Sequence, residues 1–283
     1  MSHDIELWRG AAQAWECDHL GHLNTRFYLA KVEQALPGLI PTHGNAEQVV
    51  AAQHVRFHKE VRAGTALHAT GRVLRWSERG GELLVSLRHS ATGDLAATCR
   101  LRYGDPAQET ADVSEPARER GLSLASLASV EASGRRAEAL GLDRTGLTTA
   151  LPNECDAAGR WRLSATMGMI ADASLHLRHG DWRDVLAHSA PGRPARIGNV
   201  LLEIGIVHHH WPRLNARVEV RSALADCTPR ITRTAHWLLE PGTGRPWATV
   251  SAVGMPLDLD TRRPVALTPE AQAAFRATAV EGV

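Results

Sequence analysis

The string Glu16-Cys17-Asp18-His19-Leu20-Gly21 returns as Glu154-Cys155-Asp156-Ala157-Ala158-Gly159, so E-C-D-x-x-G occurs twice, 138 residues apart. A second string behaves the same way. Thr92-Gly93-Asp94-Leu95-Ala96-Ala97-Thr98 is answered by Thr243-Gly244-Arg245-Pro246-Trp247-Ala248-Thr249, and T-G-x-x-x-A-T recurs at an offset of 151. Two matches in the same order, at slightly different offsets, read as one unit used twice with an insertion in the second copy. A chain of 283 residues has room for two such units, each with its own core.

The elements within each copy follow the same order. In the first, residues 5–15 read as an opening strand and the D-x-x-G turn follows. Residues 27–36 then read as a helix in which Phe27, Ala30, Val32, Ala35 and Leu36 face inward, stopped by Pro37-Gly38. Strands are expected at 53–58, 66–76, 82–90 and 95–103, with Gly-rich turns between them. In the second copy, 147–151 precedes the turn, 166–177 reads as the helix, and strands are expected at 200–208, 216–225, 230–239 and 247–253. One early helix against several antiparallel strands, twice over, is an α+β layout. The domain division is then 1–110, a linker at 111–141, a second unit at 142–264 and a tail at 265–283. Residues 105–119, with prolines and many charges, read as a surface connection. Residues 120–140 read as a linker helix, and 269–278 as a short terminal helix.

Composition excludes some partners. Basic and acidic residues number 32 and 31, a net charge of +1, which gives nucleic acid or an anionic membrane no electrostatic hold. Cys17, Cys99, Cys155 and Cys227 are too scattered for a zinc cage or a disulfide framework. The opening MSHDIELWRG lacks the basic start and apolar run of a signal peptide, and no apolar run is long enough to span a bilayer, so a cytoplasmic chain is expected. His208-His209-His210 invites a metal, but adjacent strand residues alternate faces and cannot converge on one ion. Neither a metal nor a cofactor is expected.

Asp18-x-x-Gly21-His22-x-Asn24, with Tyr28 four residues on, resembles the D-x-x-G-H-x-N-x-x-x-Y signature of the 4-hydroxybenzoyl-CoA thioesterase-like hotdog family. His54-Val55-Arg56-Phe57 and the following Gly64 turn are similar to that family's next strand and turn. The resemblance covers residues 5–104 well and 145–258 mainly through the repeat. It implies two fused hotdog domains, each a curved antiparallel sheet around a central helix. The fused pair would act as a pseudo-dimer with an acyl thioester, most readily a CoA ester, at the junction. Whether two chains pair further is open.

A thioester carbonyl needs a base or nucleophile on one side and hydrogen-bond donors for the oxyanion on the other. The resemblance makes Asp18 the catalytic carboxylate and the amide near Thr25, at the helix start, the polarising donor. His22 and Asn24 would orient Asp18 or the water, while Gly21 would let the backbone turn beside substrate and Tyr28 would contact it. Turns and helix starts also favour Asp and Asn for purely structural reasons. Glu33 and Asp172, each in the expected helix of its unit, form a second layer of substrate-contacting acids. Met169-Ile170-Ala171-Asp172-Ala173 looks like the L-A-D-x-A motif of phenylacetyl-CoA-type hotdog thioesterases, whose helix carboxylate is catalytic. In the second copy, Arg160 and Arg162 stand in the places of His22 and Asn24, which puts a second active site in doubt. Trp15, Trp161 and Trp211 lie near motif segments and could line an acyl pocket. Hydrolysis of an acyl-CoA or acyl-carrier-protein thioester is the expected activity. A non-catalytic acyl-thioester sensor on the same fold is the alternative, and an enoyl hydratase is disfavoured because no S-G-D-x-N-P-x-H string is present.

Overall fold

The computed structural model of the chain describes residues 4–39, 49–78, 80–104, 113–177, 184, 186 and 197–283. In the first unit, β1 (Ile5–Ala11) leads through the D-x-x-G turn into α1 (Thr25–Ala35). Then come β2 (Val50–Phe57), β3 (Ala66–Ser77), β4 (Gly80–His89) and β5 (Leu95–Gly104). Two short linker helices, α2 (Leu124–Ala128) and α3 (Gly134–Ala139), follow. The second unit repeats the order with β6 (Asp143–Thr149), α4 (Leu163–His176), β7 (Ile197–His208), β8 (Arg217–Cys227), β9 (Thr232–Leu239) and β10 (Pro246–Asp258). A two-residue strand, Arg263–Pro264, pairs with the end of β10, and the helix Pro269–Thr278 closes the chain as expected.

All strands join one antiparallel sheet in the order β1-β3-β4-β5-β2-β7-β10-β9-β8-β6. The two halves are mirror-ordered about the β2–β7 pair, where Ala52 faces Val207, His54 faces Gly205 and Arg56 faces Glu203. Helices α1 and α4 pack on each other across the inner face, and one core runs from Leu29 and Val55 through Ile204 to Val218 and Val250. Helix α1 buries Tyr28, Leu29, Val32 and Ala35, the stripe a 3.6-residue repeat gives, while Phe27 and Ala30 are half-buried. Lys31 is buried as well and donates to both oxygens of Glu16 at 2.9 and 2.7 Å, which ties the E-C-D turn to the helix.

Two expectations change. The opening strand stops at Ala11 because residues 14–16 form a tight turn, with the Glu16 carboxylate accepting from the Gln13 amide at 2.9 Å. The linker helix is two helices because Ser123 and Ser133 each cap a new start, accepting from the Ser126 and Arg136 amides. A Cβ on Gly134 would meet the Gly244 Cα at 2.9 Å, so the second cap needs glycine to dock on the T-G turn of the second unit. Residues 105–112 of the expected surface connection lie outside the described residues. Among the described residues no helix is long and apolar enough to cross a membrane.

The linker lies on the outer face of the sheet and is pinned at the seam. Glu203 accepts from His54 Nε2 at 2.6 Å and from the Arg120 and Gly121 amides at 2.9 and 2.8 Å, with both side chains buried. Burial pushes the Glu203 carboxyl up, but the His54 contact and the two amides outweigh it and hold the group below the ordinary carboxylate range. A depressed folded value means that its stabilisation is complete at neutral pH and fades as pH falls below that range. Glu203→Ala, which strands the buried His54 and two part-buried amides, is expected to cost about 3–5 kcal/mol in chemical denaturation; a loss under about 1 kcal/mol would show that the seam does not depend on it.

Candidate active site at the junction of the two units

The two E-C-D-x-x-G strings fold into the same turn. Asp18 Oδ1 accepts from the Leu20 and His22 amides at 2.8 and 3.0 Å, and Asp156 Oδ1 accepts from Ala158 and Arg160 at 2.8 and 2.9 Å. The glycines adopt φ of +77° at Gly21 and +71° at Gly159, where a side chain is strained. Nothing lies within 4 Å of a Cβ built on Gly21, so its conformation and not close approach demands glycine. Asp18 is exposed, and its ordered contacts are those of the turn. In the second turn Arg160 Nε also bonds Asp156 Oδ2 at 3.1 Å. Burial raises the Asp156 carboxyl, but the backbone and side chain of Arg160 bring it below its ordinary value.

Around Asp18 the other motif residues have local work. Asn24 caps α1, its Oδ1 accepting from the Arg26 amide at 3.0 Å. His22 meets Asp18 through its backbone, and its ring points to Glu60 at 3.3 Å. Glu60 in turn pairs with Arg262 from beyond β10, which carries the turn's contacts into the second half of the chain. Tyr28, expected at substrate, is a core residue packed edge-on to Phe57 at 5.2 Å, and burial raises its hydroxyl pKa. Thr25 is the first residue of α1 and half-buried. Trp15 is 73% exposed beside Phe27.

The second layer divides. Asp172 is exposed, because α4 buries Met167, Ile170 and Ala173 and position 172 falls on the opposite side. Glu33 is brought to the junction. Its Oε1 accepts from the Ser164 amide at 3.2 Å and its Oε2 from the Ser164 hydroxyl at 2.6 Å, so a carboxyl of α1 sits on the N-terminal end of α4. Burial pushes the Glu33 carboxyl above its ordinary range; Ser164, the Arg162 charge and the Leu163 amide only partly offset this. Both helices begin nine residues after the Glu of their turn, so the counterpart of Glu33 in the second unit is Ala171. At the reciprocal N-terminal end of α1, Arg26 lies against Gly168 of α4 and pairs with Glu154 at 3.6 Å. Ser164 escaped sequence reasoning, since nothing marks a serine 131 residues from its partner.

Of the His208–His210 run, His208 stacks on Trp211, His209 meets Thr249 and His210 meets the Pro246 carbonyl, three separate surroundings. Among the described residues no group of three or more His, Cys, Asp or Glu could hold a metal.

Two strand-wrapped helices joined through β2 and β7 make a double hotdog. Residues 12–104 match the family described as the Thioesterase-like superfamily. Among solved structures, a protein from Lactobacillus plantarum assigned by name as an oleoyl thioesterase superposes with a TM-score of 0.63 at 11% identity, covering 90% of this chain and 96% of that one. The 12:0-ACP thioesterase of Umbellularia californica gives 0.57 at 10% identity over 89% and 94% of the two chains. A hot dog fold protein of unknown function from Alicyclobacillus acidocaldarius gives 0.51 at 10% over 88% and 92%. At these identities the likeness is one of fold. No curated protein matches the sequence.

Asp18→Asn keeps an Oδ1 acceptor for the two turn amides, whereas Asp18→Ala removes it. The Asn variant is expected to melt with the wild type and the Ala variant below it in calorimetry. Equal loss in both would show that the charge, and not the turn, is what Asp18 supplies.

Proposed function

We propose that the chain hydrolyses an acyl thioester, carried on CoA or an acyl-carrier protein, at the junction where Glu33 of α1 meets the amide end of α4. The observation that carries this is the Glu33–Ser164 contact: a carboxyl with a raised pKa, half-buried, among the free N–H groups of a facing helix. The domain division at 1–110, 111–141, 142–264 and 265–283 is proposed with it, since the site needs one helix from each unit.

The chemistry follows from that pairing. Ionised Glu33 takes a proton from water, and the hydroxide adds to the thioester carbonyl carbon. First-turn amides of α4 that Glu33 does not hold receive the developing oxyanion, a role worth about 3 kcal/mol per donor. The C–S bond then breaks, and the proton passes from the Glu33 carboxyl to the departing thiolate. Products are the free acid and the thiol. Asp18 and Asn24 then shape the turn and helix start. Ala171, in the place corresponding to Glu33, leaves the reciprocal junction without a helix carboxyl, and Glu154 there is paired with Arg26, so one site per chain is expected.

Thiol release from a panel of acyl-CoA and acyl-carrier-protein thioesters tests this. Glu33→Gln is expected to lose about 10²-fold or more in kcat, and Asp18→Asn less than about tenfold. The reverse order would transfer the role to Asp18. Because the base must be ionised and burial raises its pKa, the acid limb of kcat/KM is expected above the ordinary glutamate value of 4.5, with activity rising as pH rises through it. A limb at or below that value would exclude Glu33 as the base.

A further inference from the structure

The inner face of the two middle strands carries polar atoms that the fold leaves unpaired. Gln53 on β2 is 0% exposed, and neither its Nε2 nor its Oε1 has a partner among the described residues. It points to the same side as Val55, two residues on, and its cross-strand neighbours Leu101 and Ile206 both belong to the core beneath α1 and α4. His208, two residues past Ile206, shares that face, and its Nε2 is buried without a partner. Burial, helped by the His209 charge, pulls its pKa down to about 3, so the ring is neutral. Trp161, which is 2% exposed, adds an unpaired Nε1 donor.

A chain of contacts leads from Glu33 to these residues. Its partner Ser164 is three residues from Trp161, whose amide donates to the Pro212 carbonyl at 2.9 Å. The adjoining Trp211 stacks on His208 with ring centres 4.1 Å apart and donates Nε1 to the Val50 carbonyl, at the start of Gln53's own strand, at 3.0 Å. From the other side, burial and then the Glu33 charge push the Cys99 thiol up to about 12, and Cys99 pairs with Val55. Gln53 lies two residues from Val55, about 7 Å along the strand. Leaving buried donors and acceptors unpaired is costly, and a core built for apolar packing alone is expected to carry leucine or phenylalanine at such positions.

We infer that Gln53, His208 and Trp161 form a polar wall of the acyl subsite beside Glu33 and select an acyl group that bears a hydrogen-bonding substituent, such as a hydroxyl or oxo group, over a plain hydrocarbon. The inference rests on the hydrolytic assignment of the junction. The α4 amides serve the thioester carbonyl, and the wall lies on the strand floor, where the acyl group has to run. A hydroxyl suits it best, because Gln53 offers both a donor and an acceptor.

The test uses acyl-CoAs of equal length with and without one hydroxyl along the chain, measured as kcat/KM for the wild type and as Kd for Glu33→Gln, which binds without turnover. The expected result is a preference of about tenfold or more for a hydroxylated member in both readouts. Gln53→Leu is expected to collapse that ratio while its melting temperature holds or rises, since an unpaired amide is lost. Equal Kd values across every pair overturn the inference. So does a lowered melting temperature in Gln53→Leu with the ratio intact, which would make the wall a seat for trapped water. Selective binding without any thiol release would instead overturn the hydrolytic assignment and leave the wall standing.

Discussion

Backbone pairing of β2 with β7 is the constraint on which the molecule depends. Each strand is the last of its own unit's sheet in lateral order, so without the partner each would expose a row of unpaired amides and carbonyls. Joining them removes both edges and makes a single sheet. The same pairing places α1 against α4, because each helix is already packed within its own unit. Everything at the junction follows: Glu33 can reach Ser164 only because the two sheets are locked in register at His54 and Gly205.

The linker turns that pairing from a contact into a fixed geometry. Glu203 joins a strand of the second unit to His54 of the first and to the backbone of the linker. Leu124 and Leu127 of α2 cover Ala52 and Val207 on the outer face. An edge pairing between separate units would be free to slip by two residues. Here a buried charge cluster and an apolar patch both select one register.

The near-symmetry of the fold makes its departures informative. Both turns close in the same way and both helices start at the same distance from them, yet only the first helix carries a carboxyl where the helices meet. Arg160 sits on the Asp156 carboxylate, and Ala171 stands opposite Glu33 in the repeat. Glu33 thus has no helix carboxyl as its counterpart at the reciprocal contact.

Much of the fold was legible in the residues themselves. The doubled E-C-D-x-x-G string, period-2 strand patterns and Pro269–Thr278 are local signals, since turns, alternation and caps depend on neighbours in sequence. The same locality explains where reading stopped. Asp18, Gly21 and Asn24 satisfy the turn and the helix cap, and those uses share their letters with catalysis; Tyr28 and Asp172 differ in burial only because of which way each helix faces its sheet. Sequence alone determined that two like α+β units exist and that acids lie on their helices. Tertiary structure decided which acid meets a helix end, because Glu33 and Ser164 are brought together by strand pairing across the whole chain, and no local pattern encodes a contact of that span.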